Sequence, residues 1–171
     1  MMDQILKNKV AIVTGGSSGM GRAGVELFSA AGCQSIIADI NEKEGNKIQE
    51  NLTKKNLKAD FIYTDVTDSK NVQSTVNQII KKYGRIDILF HNAVDVPLVN
   101  NHDSRITELP EEIWHKINTL VLDGAFYCSK YVGKQMLKQK SRSIILTATT
   151  DALVGQAGID AYTAAKELLC L

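Results

Sequence analysis

The sequence predicts an α/β fold: one doubly wound parallel sheet of about five strands, with helices on both faces. Three observations carry this. Short β-branched runs alternate with segments of helical period from end to end of the chain. The runs are near-continuously apolar, as strands covered on both sides are. At roughly 30 or more residues per strand–helix–strand unit, the 171 residues hold one domain and leave no room for a second.

Each element has its own signal. Residues 9–14 (KVAIVT) form a β-branched run ending in a glycine-rich turn, and residues 22–31 continue at helical period through Ala23, Leu27, Phe28 and Ala31. A second apolar run, 35–40, stops at Asp39 and Asn41, and the polar segment 42–57 suits a solvated helix. Residues 61–66 are the third strand. Val72, Val76, Ile79 and Ile80 place a helix over 69–83, with Gly84 as its stop signal before the fourth strand, 86–90. Residues 93–109 read as a long irregular loop, after which Pro110 opens a long helix over about 111–138. Residues 143–147 (SIILT) are the fifth strand; a glycine-containing loop and a final helix from about 160 to the last residue complete the chain.

Composition narrows the function classes. With 44% hydrophobic and 23% charged residues the chain has the make-up of a soluble globular protein. Twenty Lys and Arg against nineteen Asp and Glu give a net charge of +1, too little for a nucleic-acid track or an anionic membrane surface. Cys33, Cys128 and Cys170 are odd in number and far apart, which argues against a disulfide framework and for a reducing compartment. No apolar stretch has the length of a signal peptide or reaches the ~18 residues of a membrane span, so a cytoplasmic location is expected. His91, His102 and His115 lack metal-site spacing, and no metal is expected.

The turn after the first strand reads Thr14-Gly15-Gly16-Ser17-Ser18-Gly19-Met20-Gly21, a G-x-x-x-G-x-G spacing between strand and helix. The first glycine permits the tight turn. The middle one lets bare backbone approach a pyrophosphate, and the last lets the helix come close; the phosphate would rest on amides at a helix N-terminus. Asp39 ends the second strand eighteen residues after Gly21, where a carboxylate accepts hydrogen bonds from both ribose hydroxyls of an adenosine and repels a phosphate. With Ile40 next to it and Ser18 in place of a basic residue, NAD is expected over NADP. Asn41, not Asp39, is the better cap for the helix that follows.

Together with these features, Asp65-Val66, His91-Asn92-Ala93-Val94 and Tyr162-Thr163-Ala164-Ala165-Lys166 make the chain resemble a short-chain dehydrogenase/reductase over nearly its whole length, to about Lys166. The resemblance implies a Rossmann-like domain and an oxidoreductase that interconverts a small-molecule alcohol and a carbonyl by hydride transfer. It assigns Gly15, Ser17, Ser18, Gly19, Met20 and Gly21 to the pyrophosphate loop, Asp65 and Val66 to the adenine, and Asn92 and Ala93 to the cofactor after strand four. Tyr162 is the implied proton donor and acceptor, and Lys166 also holds the nicotinamide ribose. A phenol with pKa near ~10 needs a cation to serve as a base near neutrality, and Lys166 lies one helical turn on, on the same face. Thr149, thirteen residues before Tyr162, stands where the family usually has serine and keeps the O–H donor.

Departures from the pattern bear on activity. Val94 replaces a glycine beside the cofactor, and alignment on Trp114 and Gly124-Ala125-Phe126 puts Val121 at the family's catalytic asparagine, with Asn118 one turn earlier. Valine retains the main-chain carbonyl but not the side-chain amide, so a weakened proton relay is expected, and a non-catalytic dinucleotide-binding protein is the alternative. The face of Trp114, Ile117, Val121, Ala125 and Cys128 reads as core or subunit contact. Only five residues follow Lys166. The final helix would be about 12 residues, some 18 Å. The family order 3-2-1-4-5-6-7 would lack its last two strands, leaving strand five an open edge in a C-terminally truncated domain with impaired activity. The abrupt end of the resemblance suggests a shifted reading frame: a stretch encoding K-G-V-V-V-S-L-T reads Lys-Glu-Leu-Leu-Cys-Leu and stops when one G is lost. A complete chain is expected to form a homo-oligomer.

Overall fold

Strand β1 (Val10–Thr14) is buried along its whole length and forms the centre of a five-stranded parallel sheet in the computed structural model, which describes residues 4–140 and 143–170. With β2 (Gln34–Asp39), β3 (Ala59–Tyr63), β4 (Ile88–His91) and β5 (Ser143–Leu146), the order is β3-β2-β1-β4-β5. The chain winds outward from β1 to β3, then returns to place β4 on its other side. Thr14 and His91 are register partners at the end of that switch, where the crevice of such sheets opens.

Neighbouring residues of each strand go to opposite faces. Ile12 and Ile36 join one cluster with Val72, Val76, Ile79, Cys128 and Val132, from α3 (Ser69–Tyr83) and α6 (Gly124–Gln139). Val13 and Ile37 join the other with Val25, Ile48 and Leu52, from α1 (Gly19–Ala30) and α2 (Glu42–Lys54). A third cluster, Val99, Ile117, Val121, Ala161 and Ala165, ties together α4 (Val96–His102), α5 (Glu111–Asn118) and the late helix α8 (Asp160–Glu167). Ile117, Val121, Ala125 and Cys128 are all buried within the chain, so this face is core.

Several boundaries differ from expectation. The third strand begins at Ala59 and ends at Tyr63, because its ladder with β2 runs from Ala59 opposite Ser35 to Tyr63 opposite Asp39; residues 64–66 turn away toward α3. The fourth strand starts at Ile88, Ile86 and Asp87 being the approach to it. Residues 93–109 contain α4, capped by the Asp95 carboxylate on the Leu98 amide at 2.9 Å, with Pro97 in its first turn where a missing N–H costs nothing. The long helix is broken into α5, a π-helical segment over Thr119–Asp123 and α6. The glycine-containing loop holds a short helix, α7 (Asp151–Val154), and the last helix runs for 8 residues in place of about 12. Gly84 stops α3 in the left-handed conformation, as expected. At the sheet edge, Ile144 and Ile145 of β5 are 42% and 44% exposed. Among the described residues no helix is long and apolar enough to cross a membrane.

Candidate active site

The glycine turn builds the floor of the crevice. Gly15 has φ +64°, and a Cβ there would meet the Ala93 backbone at 3.0 Å, so the turn lies against the loop after β4. A Cβ on Gly21 would overlap the Gly15 carbonyl oxygen, which is how closely α1 closes on the turn. Gly19, at φ +47°, has no heavy atom within 4 Å of where its Cβ would be. Bare backbone therefore faces open space at the start of α1, where the first amides have no partner inside the helix. Ser18 is the extended N-cap and forms no side-chain cap bond, Ser17 is buried and Met20 is exposed. With bare backbone at its glycines, this turn fits a pyrophosphate.

Asp39 sits buried at the end of β2, its Oδ2 accepting the Ser17 amide at 3.0 Å and its Oδ1 the Asn41 amide at 2.9 Å. Two main-chain donors thus fix the carboxylate beside the glycine turn. Asn41 performs the capping, accepting the Glu44 amide at 3.1 Å. Asp65 accepts from the Thr67 amide and hydroxyl at 2.9 and 2.7 Å, while the Val66 side chain lies in the core against Gly124.

A hydrogen-bonded chain links β1, β4 and α8. Thr14 Oγ1 accepts the amides of Asn92 and Ala93 at 3.1 and 3.3 Å and lies 2.9 Å from His91 Nδ1. With its lone pairs used, the hydroxyl donates to Nδ1, which makes His91 a neutral imidazole protonated on Nε2. The Thr147 hydroxyl donates to Asn92 Oδ1 at 3.2 Å, and the Thr147 carbonyl accepts Lys166 Nζ at 2.5 Å. Burial, reinforced by the Lys166 charge, pushes His91 down to about 4. The unfolded chain therefore takes up this proton first: stability present above about pH 6.5 is lost as pH falls toward 4. His91→Asn should flatten that part of the acid limb, read from thermal melts across this window.

Tyr162 and Lys166 share one face of α8, with Nζ 5.7 Å from the ring centroid. The lysine is buried, which brings its pKa down to about 8. Tyr162 is half-buried and its phenol is raised, first by burial and then by the Asp151 carboxylate. The lysine is thus where the motif spacing places it, but it donates to the Thr147 carbonyl. Thr149 Oγ1 donates to Asp151 Oδ2 at 2.9 Å.

The start of α8 is held from the segment after α4. Asp103 accepts the amides of Ala161 and Tyr162 at 3.2 and 2.9 Å, and Asp160 accepts the Ile106 amide at 2.9 Å in return. Ile159, the residue in the N-cap position, has no such side chain, so Asp103 performs the capping from 58 residues away. Losing a cap costs about 0.5–2 kcal/mol. Asp103→Ala should lower Tm by a few degrees and speed hydrogen exchange at the Tyr162 amide, whereas Asp103→Asn, with one acceptor oxygen for the two amides, should recover only part of the loss in Tm.

Val121 is buried at the centre of the π-helical segment, where the Gly124 amide is shared between the carbonyls of Thr119 and Val121. Asn118 Nδ2 donates to the Trp114 carbonyl at 2.8 Å, so this amide is spent within its own helix. Val94 is partly buried in the third cluster with Ile117 and Val121. Asp103, Asp151 and Thr147 are contributors that spacing along the sequence did not reveal; each acts across a fold contact or through the backbone. Among the described residues no group of three or more His, Cys, Asp or Glu could hold a metal.

A parallel sheet with its crevice at the switch point, a glycine turn after β1 and a fixed carboxylate at the end of β2 define a Rossmann-like fold. The family model described as short chain dehydrogenase matches residues 9–170, and the chain belongs to that family. Over 162 residues it is 34% identical to an uncharacterized oxidoreductase of Thermotoga maritima, covering 95% of this chain and 61% of that one. It is also 34% identical over 159 residues to meso-2,3-butanediol dehydrogenase of Serratia marcescens, covering 93% and 60%. A crystal structure of NAD+-bound xylitol dehydrogenase superposes with a TM-score of 0.89 at 26% identity, covering 96% of this chain and 62% of that one. The chain spans between 56% and 64% of the length of the curated relatives it matches.

Proposed function

We propose that this chain carries the cofactor-binding half and the proton-transfer groups of an NAD-dependent oxidoreductase that interconverts an alcohol and a carbonyl compound. The observation that carries the reading is Tyr162 and Lys166 on one face of α8, joined through Thr147 and Asn92 to the loop that closes on the glycine turn. Bound in this crevice, a nicotinamide cofactor supplies the hydride donor or acceptor. The residues of the chain do the rest. Gly15, Ser17, Ser18, Gly19, Met20 and Gly21 cradle the pyrophosphate; Asp65, Val66, Asn92 and Ala93 border the adenine and nicotinamide ends. Tyr162 passes a proton to the carbonyl oxygen in reduction and takes it back in oxidation, while the Thr149 hydroxyl steadies that oxygen. Burial and the Asp151 charge raise the Tyr162 phenol, which suits it to give up its proton to a carbonyl oxygen in reduction.

Asp39 supports NAD over NADP, since a 2′-phosphate would meet a buried carboxylate already held by two amides. Titration with NADH and NADPH, followed by nicotinamide fluorescence, tests the whole reading. Binding of NADH at least about tenfold tighter, with oxidation of NADH on adding carbonyl compounds, supports it; equal binding removes the role given to Asp39. Binding without turnover supports the second reading, a non-catalytic dinucleotide-binding protein, which Val121 in place of a side-chain amide favours. Two buried free thiols, Cys33 and Cys128, are consistent with a reducing, cytoplasmic setting. Exposed Phe126 and Leu137 on α6 suit a homo-oligomeric contact, which mass measurement in solution checks.

A further inference from the structure

The catalytic hydroxyl is already engaged. Thr149 Oγ1 has a single proton, and it is donated to Asp151 Oδ2 at 2.9 Å. The same carboxylate, half-buried at the first position of α7, is therefore within hydrogen-bond reach of the hydroxyl that meets the reacting oxygen, and its charge also raises the Tyr162 phenol. We propose that Asp151 sets substrate specificity, selecting a neutral vicinal diol or α-hydroxy ketone, whose second hydroxyl bonds its carboxylate, and rejecting substrates with an anionic group beside the reacting carbon. The inference rests on the oxidoreductase reading above and names the substrate class of that site.

Partner exchange is the physical basis. To steady a substrate oxygen, the Thr149 proton must leave Asp151, and a half-buried carboxylate that loses a donor is costly. A hydroxyl on the carbon next to the reacting one replaces that donor, so Thr149 turns to the substrate with every group still satisfied. A simple alcohol provides no replacement. A carboxylate in the same place is repelled by Asp151, whereas a neutral hydroxyl donates to it.

The four-carbon compounds 2,3-butanediol, 2-butanol and 2-hydroxybutanoate form a matched test set. With the purified protein and NAD, kcat/KM for the diol should exceed that for 2-butanol by about 10- to 100-fold, and Asp151→Ala should reduce that ratio to near unity. Asp151→Asn, which keeps the shape, should raise relative use of 2-hydroxybutanoate about tenfold. Saturation-transfer NMR of the same three compounds on the NADH-bound protein reads the preference without turnover. Absence of turnover with all three, alongside an NMR preference for the diol that Asp151→Ala removes, overturns the oxidoreductase reading and keeps the specificity. Equal treatment of diol and 2-butanol by the unmodified protein, or a ratio unchanged in Asp151→Ala, overturns the proposal itself.

Discussion

Tyr162→Phe is expected to lower kcat by about 10²- to 10⁴-fold while NADH binds within about threefold of its original affinity. Of the two residues on the shared face of α8, Tyr162 is the one placed to exchange a proton with a reacting oxygen. Lys166 is buried and its Nζ donates to the Thr147 carbonyl, and the Thr149 proton goes to Asp151. Removing a single hydroxyl oxygen leaves the ring and its place in the third cluster, so the fold and the cradle stay intact. Stopped-flow single turnovers with bound NADH separate the chemical step from binding. A Tyr162→Phe variant retaining a tenth or more of the original rate would mean that another group delivers the proton. The raised phenol adds a pH signature: alcohol oxidation, which needs the phenolate, should rise with pH beyond the ordinary tyrosine range, whereas carbonyl reduction should be largest below it. Asp151 and Lys166 are the charged groups facing this phenol, and Asp151→Asn should move the oxidation limb to lower pH.

Gly21→Ala is expected to abolish NADH binding and to destabilise the fold by about 1–3 kcal/mol. The added Cβ would overlap the Gly15 carbonyl oxygen, and Gly15 cannot retreat because the Ala93 backbone lies behind it. Either α1 moves outward or the turn is pushed into the space above Gly19, and both destroy the amide cradle. Gly133→Ala is the matched control, since nothing lies within 4 Å of a Cβ there. Equilibrium denaturation and NADH fluorescence on the two variants check both halves. A Gly21→Ala protein that binds NADH normally would show that the cradle does not hold the pyrophosphate.

The parts of this fold legible in the sequence are those specified by local chemistry. Continuous β-branched runs marked β1 and β2, the apolar spacing from Val72 to Ile80 marked α3, and glycine spacing identified the cradle. Gly84 ended α3 because a left-handed residue is needed there. Part of what escaped depended on partners distant in the chain. The end of β3 follows from its register with β2, and α4 forms through a cap by Asp95 that an irregular, proline-bearing stretch concealed. The π-helical segment carries no glycine or proline to announce it. In the candidate site, Tyr162, Lys166 and Thr149 came from recognisable spacing, while Asp103 reaches α8 across 59 residues and Thr147 contributes a carbonyl that any residue would have. Asp151 lies close to Thr149 in sequence, yet its effect on both the threonine and the phenol needs the turn into α7.

The most direct test of the central claim is deuterium transfer. NADH deuterated at nicotinamide C4 is incubated with the purified protein and 3-hydroxy-2-butanone, and the alcohol formed is examined by mass spectrometry and NMR. Product should carry deuterium on the former carbonyl carbon, from one face of the nicotinamide only, and should form about 10²- to 10⁴-fold more slowly in Tyr162→Phe. NADH that binds tightly in the crevice yet gives no deuterated alcohol, in the unmodified protein and with every carbonyl compound supplied, would contradict that claim.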